Sequence, residues 1–120
     1  MEPHIDATHF GSITIAGEEY DHDVVIRLSG KVKKRKKKLS KAEYGTSHTV
    51  SQAEAEHIYD DGADRLIIGN GQNGVLELSK EAAAYFEEQN CAVELHPTPQ
   101  AIHAWNNADG KTIAMLHVTC

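Results

Sequence analysis

The sequence has few cysteines and lacks any long apolar run. Only two cysteines, Cys91 and Cys120, occur in 120 residues; their spacing matches no metal-binding motif and favours free thiols in a reducing compartment. No apolar stretch approaches the ~20 residues that a membrane span requires. Residues 1–6 lack the basic and apolar regions of a signal peptide. We therefore expect a single domain over residues 1–120, without a membrane span and located in the cytoplasm.

Basic residues are scarce outside one short segment. The chain carries a formal net charge of −6 from 12 basic and 18 acidic residues, yet residues 31–41 hold eight of the basic residues and no acid. One interpretation is a solvated hairpin or loop, and the other is an anion-binding surface. No aromatic residue interrupts the run, so nucleic-acid binding here would depend on phosphate contacts and be confined to low salt. The anion-binding alternative uses the side chains of Lys33, Lys34, Arg35, Lys36 and Lys37.

The first third of the chain has the pattern of β structure. Ser12–Ile15 alternates polar and apolar residues, which is typical of a half-buried strand. Residues 24–28 are mostly β-branched and apolar and predict a more deeply buried strand. A turn at 29–30 leads into a short strand over 31–34. Three strands with short connections predict an antiparallel meander.

The remaining residues predict alternating helices and strands. Ser51 and Glu54 form a capping box, in which each side chain satisfies a free backbone N–H of the other residue. Ser79 is a second predicted N-cap, and Thr98 followed by Pro99 is a third. Strand, helix and strand in succession imply parallel pairing, and thus an α/β domain in which a β meander precedes a βαβαβ unit. The predicted helices run over about 52–60, 79–89 and 98–108, and the strands over 65–68, 92–95 and 112–118.

Several short motifs occur in a fixed order along nearly the whole chain. They are the segments at residues 10–13, 23–26, 44–48, 67–72, 98–102 and 117–120. Taken together they resemble the small domain family that includes the adipogenesis-associated domain-containing protein and the mitochondrial complex I assembly factor of the same fold. The resemblance implies a three-layer α/β fold with a mixed central sheet. It implies little chemistry, although the mitochondrial member is associated with respiratory-complex assembly through protein contacts.

A glycine-rich segment follows the predicted strand at 65–68. Gly69, Gly71 and Gly74 match the spacing of a dinucleotide-binding fingerprint, but that fingerprint requires its last glycine to open a helix. Here residues 75–78 precede the cap at Ser79, so we reject a dinucleotide cofactor and expect none. A tight loop with positive φ at its glycines is the simpler interpretation. A small-ligand or anion loop remains open, because ligands bind at the carboxyl ends of parallel strands.

Histidine and hydroxyl side chains recur near these predicted strand ends. Eight histidines are present, but none has metal-ligand spacing on a predicted helix, so no metal site is expected. His48 could act with Cys120 or Ser47 if the fold brings the side chains together. His117 and Thr119 share one face of the last strand, whereas Cys120 would face the other side unless that strand ends early. The predicted ligand site comprises Ser47, His48, Gly69, Gly71, Gln72 and Thr98.

These observations favour a non-catalytic binding or assembly module with an unidentified protein partner. The first alternative is a small hydrolase or transferase that uses His48 with Cys120 or Ser47. The second is phosphate-driven nucleic-acid binding through residues 31–38. A polar pocket in which His48 touches a hydroxyl or thiol would favour the enzyme. A contiguous apolar patch would favour a protein partner.

Overall fold

The computed structural model describes residues 2–120 and contains four helices and ten strands in that range. No helix in it combines the length and the apolar character that crossing a bilayer demands. The helices are α1 (Lys38–Tyr44), α2 (Gln52–Ile58), α3 (Lys80–Glu88) and α4 (Thr98–Asn106). The strands are β1 (Ile5–His9), β2 (Ser12–Ile15), β3 (Glu18–Tyr20), β4 (Val24–Ile26), β5 (Val32–Lys34), β6 (Thr49–Val50), β7 (Arg65–Asn70), β8 (Glu77–Leu78), β9 (Ala92–His96) and β10 (Thr112–His117).

A five-stranded mixed sheet forms the centre of the fold, with strand order β5-β4-β10-β7-β9. β10 pairs parallel to β7, and β7 pairs parallel to β9. β4 pairs antiparallel to both β10 and β5. All six residues of β10 are buried, because both faces of the central sheet are covered. Strands in such sheets have nearly continuous apolar sequences. The predicted α/β class with a mixed central sheet is confirmed.

Each face of the central sheet has its own apolar layer. Leu66, Ile68 and Met115 pack on one side with Phe86 of α3 and Ile58 of α2. On the other side, side chains of the alternate strand positions meet α4 and the β1-β2-β3 sheet, including Ile67, Ala114, Trp105, Ile13 and Ile15. Alternate residues of one strand therefore serve two different layers. The result is the three-layer arrangement.

The N-terminal strands do not form one meander. β2 pairs with β1 and β3 in a separate three-stranded sheet, whereas β4 and β5 lie in the central sheet. The physical reason lies in the patterns themselves. In Ser12–Ile15 every second residue is buried and the others are partly exposed, as in a sheet with one face toward solvent. All three residues of β4 are buried, as in a strand covered on both faces.

Helix α1 was not predicted, because the lysine run before it resembles a solvated loop. It begins after Lys37 without a side-chain cap and ends at Gly45, whose φ of 72° places it in the left-handed region. Ser40 is its buried residue. The predicted helices at α2, α3 and α4 are present, with Ser51 and Ser79 accepting hydrogen bonds from Glu54 N and Ala82 N.

Candidate functional site

The site lies where β7 and β10 end side by side. These strands are parallel and in register, with Asn70 opposite His117. Beyond them, the tail at residues 118–120 runs along the glycine-rich loop. The backbone N–H of Gln72 donates to Thr119 O at 2.7 Å, and that of Val75 donates to Cys120 O at 3.1 Å. β10 ends at His117. Residues 118–120 therefore leave the strand geometry, and their side chains can gather at one edge of the sheet.

Glycines allow the loop and the tail to approach this closely. A Cβ at Gly71 would lie 2.2 Å from the carbonyl carbon of Cys120, and the φ of this residue is +108°. A Cβ at Gly69 would lie 2.9 Å from Thr98 Oγ1. The protein's own tail and α4 therefore occupy the space beside these two glycines, where the predicted ligand would have been bound.

Thr98 connects three segments instead of capping α4. Its hydroxyl donates to His117 O at 2.6 Å and accepts from the N–H of Gly71 at 2.9 Å. The N-cap position is held by Pro97, which makes no side-chain hydrogen bond. The predicted cap at Thr98 is therefore displaced by one residue, since its hydroxyl is used to join the ends of β7 and β10. The side chain of Gln72 is also used within the protein, since its amide donates to Thr8 Oγ1 at 3.0 Å.

Arg35 lies at the centre of a buried ionic network. Its Nε donates to Glu54 Oε2 at 2.6 Å, and its Nη1 donates to Asp23 Oδ2 at 2.8 Å. Its Nη2 donates to Glu54 Oε1 and to the carbonyl oxygen of Ser47. Burial alone would lower the pKa of Arg35, but these bonds to the two carboxylates raise it. The guanidinium is thus permanently charged, and it donates four hydrogen bonds within the protein.

This placement separates Arg35 from the basic surface expected of residues 31–41. Its side chain is 0% exposed, whereas the lysines on either side of it are exposed. The same network explains why the capping box is only half formed. Ser51 caps α2 as predicted, but Glu54 turns inward to Arg35 and accepts from Ser40, whose hydroxyl also accepts from the N–H of Ser51.

Asp23 joins this network to the end of β10. Its Oδ1 accepts from the N–H of Val118 at 2.9 Å, and its Oδ2 accepts from His117 Nδ1 at 2.7 Å. Burial opposes ionisation of this carboxyl. The hydrogen bonds from His117, Val118 and Arg35 outweigh that effect and lower the pKa of Asp23 from 3.8 to about 2. Asp23 is therefore a carboxylate throughout the neutral range.

The pKa of Asp23 predicts a specific loss of stability in acid. Because the folded pKa is below the unfolded value, the stabilisation is complete above about pH 4 and is lost as the pH falls through about 2. A shift of this size corresponds to ~2 kcal/mol of the free energy of unfolding. We expect the free energy of unfolding of Asp23→Asn, measured by urea unfolding, to fall less steeply between pH 5 and pH 2 than that of the unmodified protein. An unchanged slope in the variant would contradict the assignment.

His117 continues the chain of hydrogen bonds toward the surface. It is only 3% exposed, and its Nε2 lies 3.3 Å from Thr119 Oγ1. The partly exposed hydroxyl of Thr119 is the outer end of an Asp23–His117–Thr119 chain. The sequence pattern placed His117 and Thr119 on one face, but nothing local indicated Asp23 as their partner, because it lies 94 residues away from His117.

His48 and Cys120 form a second contact beside this chain. Cys120 Sγ lies 3.9 Å from His48 Nε2, and the rings of His48 and His117 meet edge to face with centroids 5.4 Å apart. The fold therefore brings His48 to a thiol, as the enzyme alternative requires. No group of three potential metal ligands is found within residues 2–120.

A polar cleft opens over the Asp23–His117–Thr119 chain, and neither His48 nor Cys120 lines it. Its volume is about 180 Å³. Its lining includes Lys34, Arg35 and Lys37 from the basic run, together with Ser47 and Thr119. The exposed carboxylate of Asp21 also belongs to it. The other residues that line the cleft are His22, Asp23, His117 and Val118.

A larger cavity of about 580 Å³ lies at the opposite end of the central sheet. Glu2, Asp61 and Asp109 line it, with Lys111 as its cation, and it has no histidine or cysteine among the described residues. Histidine side chains therefore line the smaller cleft but not this cavity.

Comparison with known families agrees with this architecture. A family model described as "Protein of unknown function (DUF498/DUF598)" matches residues 5–117. The chain belongs to this family. The DUF498/DUF598 match covers every strand and helix of the central sheet and its two layers, as well as Asp23 and His117.

Solved structures of similar proteins show the same fold. The conserved hypothetical protein PH1505 from Pyrococcus horikoshii OT3 is 35% identical over 97% of this chain and 98% of its own, with a TM-score of 0.88. The protein MT938 is 33% identical over 99% of this chain and 100% of its own, with a TM-score of 0.82. A protein from Bordetella pertussis, described as a Mth938-like domain, is 16% identical over 97% of this chain and 85% of its own. Its TM-score of 0.64 shows the shared fold alone.

Proposed function

We propose that this member of the DUF498/DUF598 family is a binding module for a small anionic ligand such as a phosphate or carboxylate. The observation that carries the proposal is the polar cleft at the end of β10, beside the start of β4 and the end of β5. Lys34 and Lys37, whose side chains carry ammonium groups, line it together with the hydroxyl-bearing residues Ser47 and Thr119. Charged donors and hydroxyls on one concave surface are the groups that bind oxyanions.

The buried network supports this proposal because it fixes the inner wall of the cleft. Arg35 donates to the carbonyl oxygen of Ser47 and to Asp23, so the two sides of the cleft are joined through one guanidinium. A preorganised wall reduces the entropy lost on binding. The negative charge of Asp23, which lines the cleft, is offset by its ion pair with Arg35.

Inorganic phosphate is the first probe of this site. We expect it to shift amide signals of residues that line the cleft in NMR titrations. Lys34→Gln with Lys37→Gln should weaken phosphate binding about tenfold, because each contact of an exposed charge contributes up to ~1 kcal/mol. Isothermal titration or the same NMR shifts would measure the change.

A matched double variant separates the cleft from the general charge of the basic run. Lys31→Gln with Lys33→Gln removes the same two charges from exposed neighbours that do not line the cleft. We expect it to change phosphate affinity less than about twofold at moderate salt, where exposed charges are screened. Equal losses in both double variants would contradict a localised site and support the alternative of diffuse phosphate contacts with nucleic acid.

A role in assembly through a protein partner, implied by the resemblance to the complex I assembly factor, stays a prediction. Its support is the exposure of a few large apolar residues, above all Phe10 at 67% and Val75 at 48%. Leu95 on the edge strand β9 is a third, 39% exposed. These residues are scattered along the chain, and single exposed apolar side chains are normal for a soluble surface. The cleft therefore carries the stronger proposal.

The second candidate function is that of a small hydrolase or transferase. The observation that favours it is the 3.9 Å contact between Cys120 Sγ and His48 Nε2. A thiol beside an imidazole can be deprotonated and act as a nucleophile. Acetylation of Cys120 by an activated ester, lost in His48→Gln, would support this candidate.

A further inference from the structure

The tautomer of His117 is fixed by its inner partner. A carboxylate only accepts hydrogen bonds, and the pKa of Asp23 keeps this group ionised at neutral pH. The proton between Asp23 Oδ2 and His117 Nδ1 therefore belongs to the imidazole. In the neutral ring Nε2 is then an acceptor, and the hydroxyl that it can accept from is that of Thr119, 3.3 Å away.

The buried network also places charged groups beside Nδ1 of His117. It contains one cation, Arg35, and two carboxylates, Asp23 and Glu54, so that it carries one net negative charge beside Nδ1. This charge lies in a region with little water, where electrostatic interactions are stronger than at the surface.

From this geometry we infer that Thr119 is a nucleophile that accepts an acyl group, with His117 as its general base and Asp23 as the group that orients the base. The arrangement has the same roles as a hydroxyl, imidazole and carboxylate in acyl-transfer enzymes. It is separate from the contact of His48 with Cys120. It uses the cleft of the proposed function, so the class of donor rests on that proposal.

The donor class follows from the charge of the cleft. Lys34 and Lys37 suit an acyl group carried by an anion, such as an acyl phosphate. In the step, Thr119 Oγ1 forms a bond to the acyl carbon and its proton passes to His117 Nε2. The bond from the acyl carbon to the phosphate oxygen breaks, and inorganic phosphate leaves with that electron pair. The proton on Nε2 is then released to phosphate or water, and no oxidation or reduction takes place.

The test is covalent labelling of the full chain by acetyl phosphate and, separately, by the neutral donor p-nitrophenyl acetate. We expect an acetyl ester on Thr119, located by peptide mass spectrometry. It should resist neutral hydroxylamine, which cleaves a thioester on Cys120, and be removed by alkaline hydroxylamine, which leaves lysine amides intact. Thr119→Val should abolish the ester, and Thr119→Ser should retain it. His117→Gln should slow its formation ~100-fold, within the range for general base catalysis. Circular dichroism would establish that each variant is folded.

Matched variants and donors make every outcome decisive. Thr14→Val removes a threonine from the outer sheet and should leave labelling of Thr119 unchanged. An acetyl group found only on lysines or on Cys120, or an ester that forms as fast in His117→Gln, would overturn the inference. If p-nitrophenyl acetate labels Thr119 but the protein does not bind phosphate, the proposal that the cleft binds a small anion is wrong, and the nucleophilic role of Thr119 is unaffected. Phosphate binding without labelling by either donor would overturn the nucleophile alone.

Discussion

Replacing Arg35 by Gln is expected to lower the free energy of unfolding by ~3–5 kcal/mol, the cost of removing one partner from a buried ionic group. The side chain of Arg35 is 0% exposed, and it donates to both carboxylates and to the carbonyl of Ser47. Without it, Asp23 and Glu54 would face each other as buried, uncompensated charges. Urea unfolding at pH 7 measures the effect.

The basic run supplies a matched control for Arg35. Lys36→Gln removes the same charge from the next residue, which is exposed, and we expect a change within ~0.5 kcal/mol. Arg35→Lys should lie between the two, because an ammonium keeps the charge but cannot form the forked contact with Glu54. A similar small effect for Arg35→Gln and Lys36→Gln would refute the structural role of Arg35.

Gly71→Ala is the second substitution with a large expected effect. The backbone of Gly71 has a φ of +108°, and an added Cβ would lie 2.2 Å from the backbone of Cys120. Strain at such a φ costs ~1–3 kcal/mol. The clash must in addition move the tail, with loss of the bonds from Gln72 N and Val75 N at ~1 kcal/mol each. We expect a total loss of about 3 kcal/mol.

A second glycine separates the backbone strain from the clash. Gly110 has a φ of +82°, and a Cβ there would meet no atom within 4 Å. Gly110→Ala should therefore show the strain alone and leave NMR signals of the tail in place, whereas Gly71→Ala should shift the signals of Thr119 and Cys120. If both variants lose the same stability and neither moves the tail, the close approach at Gly71 is not important for the site.

The helices and central strands are largely predictable because their signals are local. Ser51 and Ser79 cap α2 and α3 through bonds to residues three positions ahead, which a linear pattern can reveal. The apolar run of β4 likewise indicates burial on both faces. An N-terminal meander is present, but it joins β1, β2 and β3, and the strands predicted at 24–28 and 31–34 lie in the central sheet. A local pattern shows how far a strand is buried but does not show which sheet contains it.

The candidate site was predictable only in part. Ser47 and His48 do lie at the strand ends, and the glycine-rich loop does follow β7. The loop glycines, however, contact the protein's own tail and α4. Arg35 could not be distinguished from its lysine neighbours, since charge and local pattern are the same for a solvated and a buried member of the run.

The sequence by itself determined the class of fold, the capped helices and the concentration of basic charge, because each depends on residues that are near neighbours. The tertiary structure alone decided that Asp23 meets His117 and Arg35, and that Thr119 and Cys120 turn toward different histidines. These contacts join residues that are far apart in the chain. Their energies depend on burial and on the geometry of hydrogen bonds, and neither is fixed until the layers have packed.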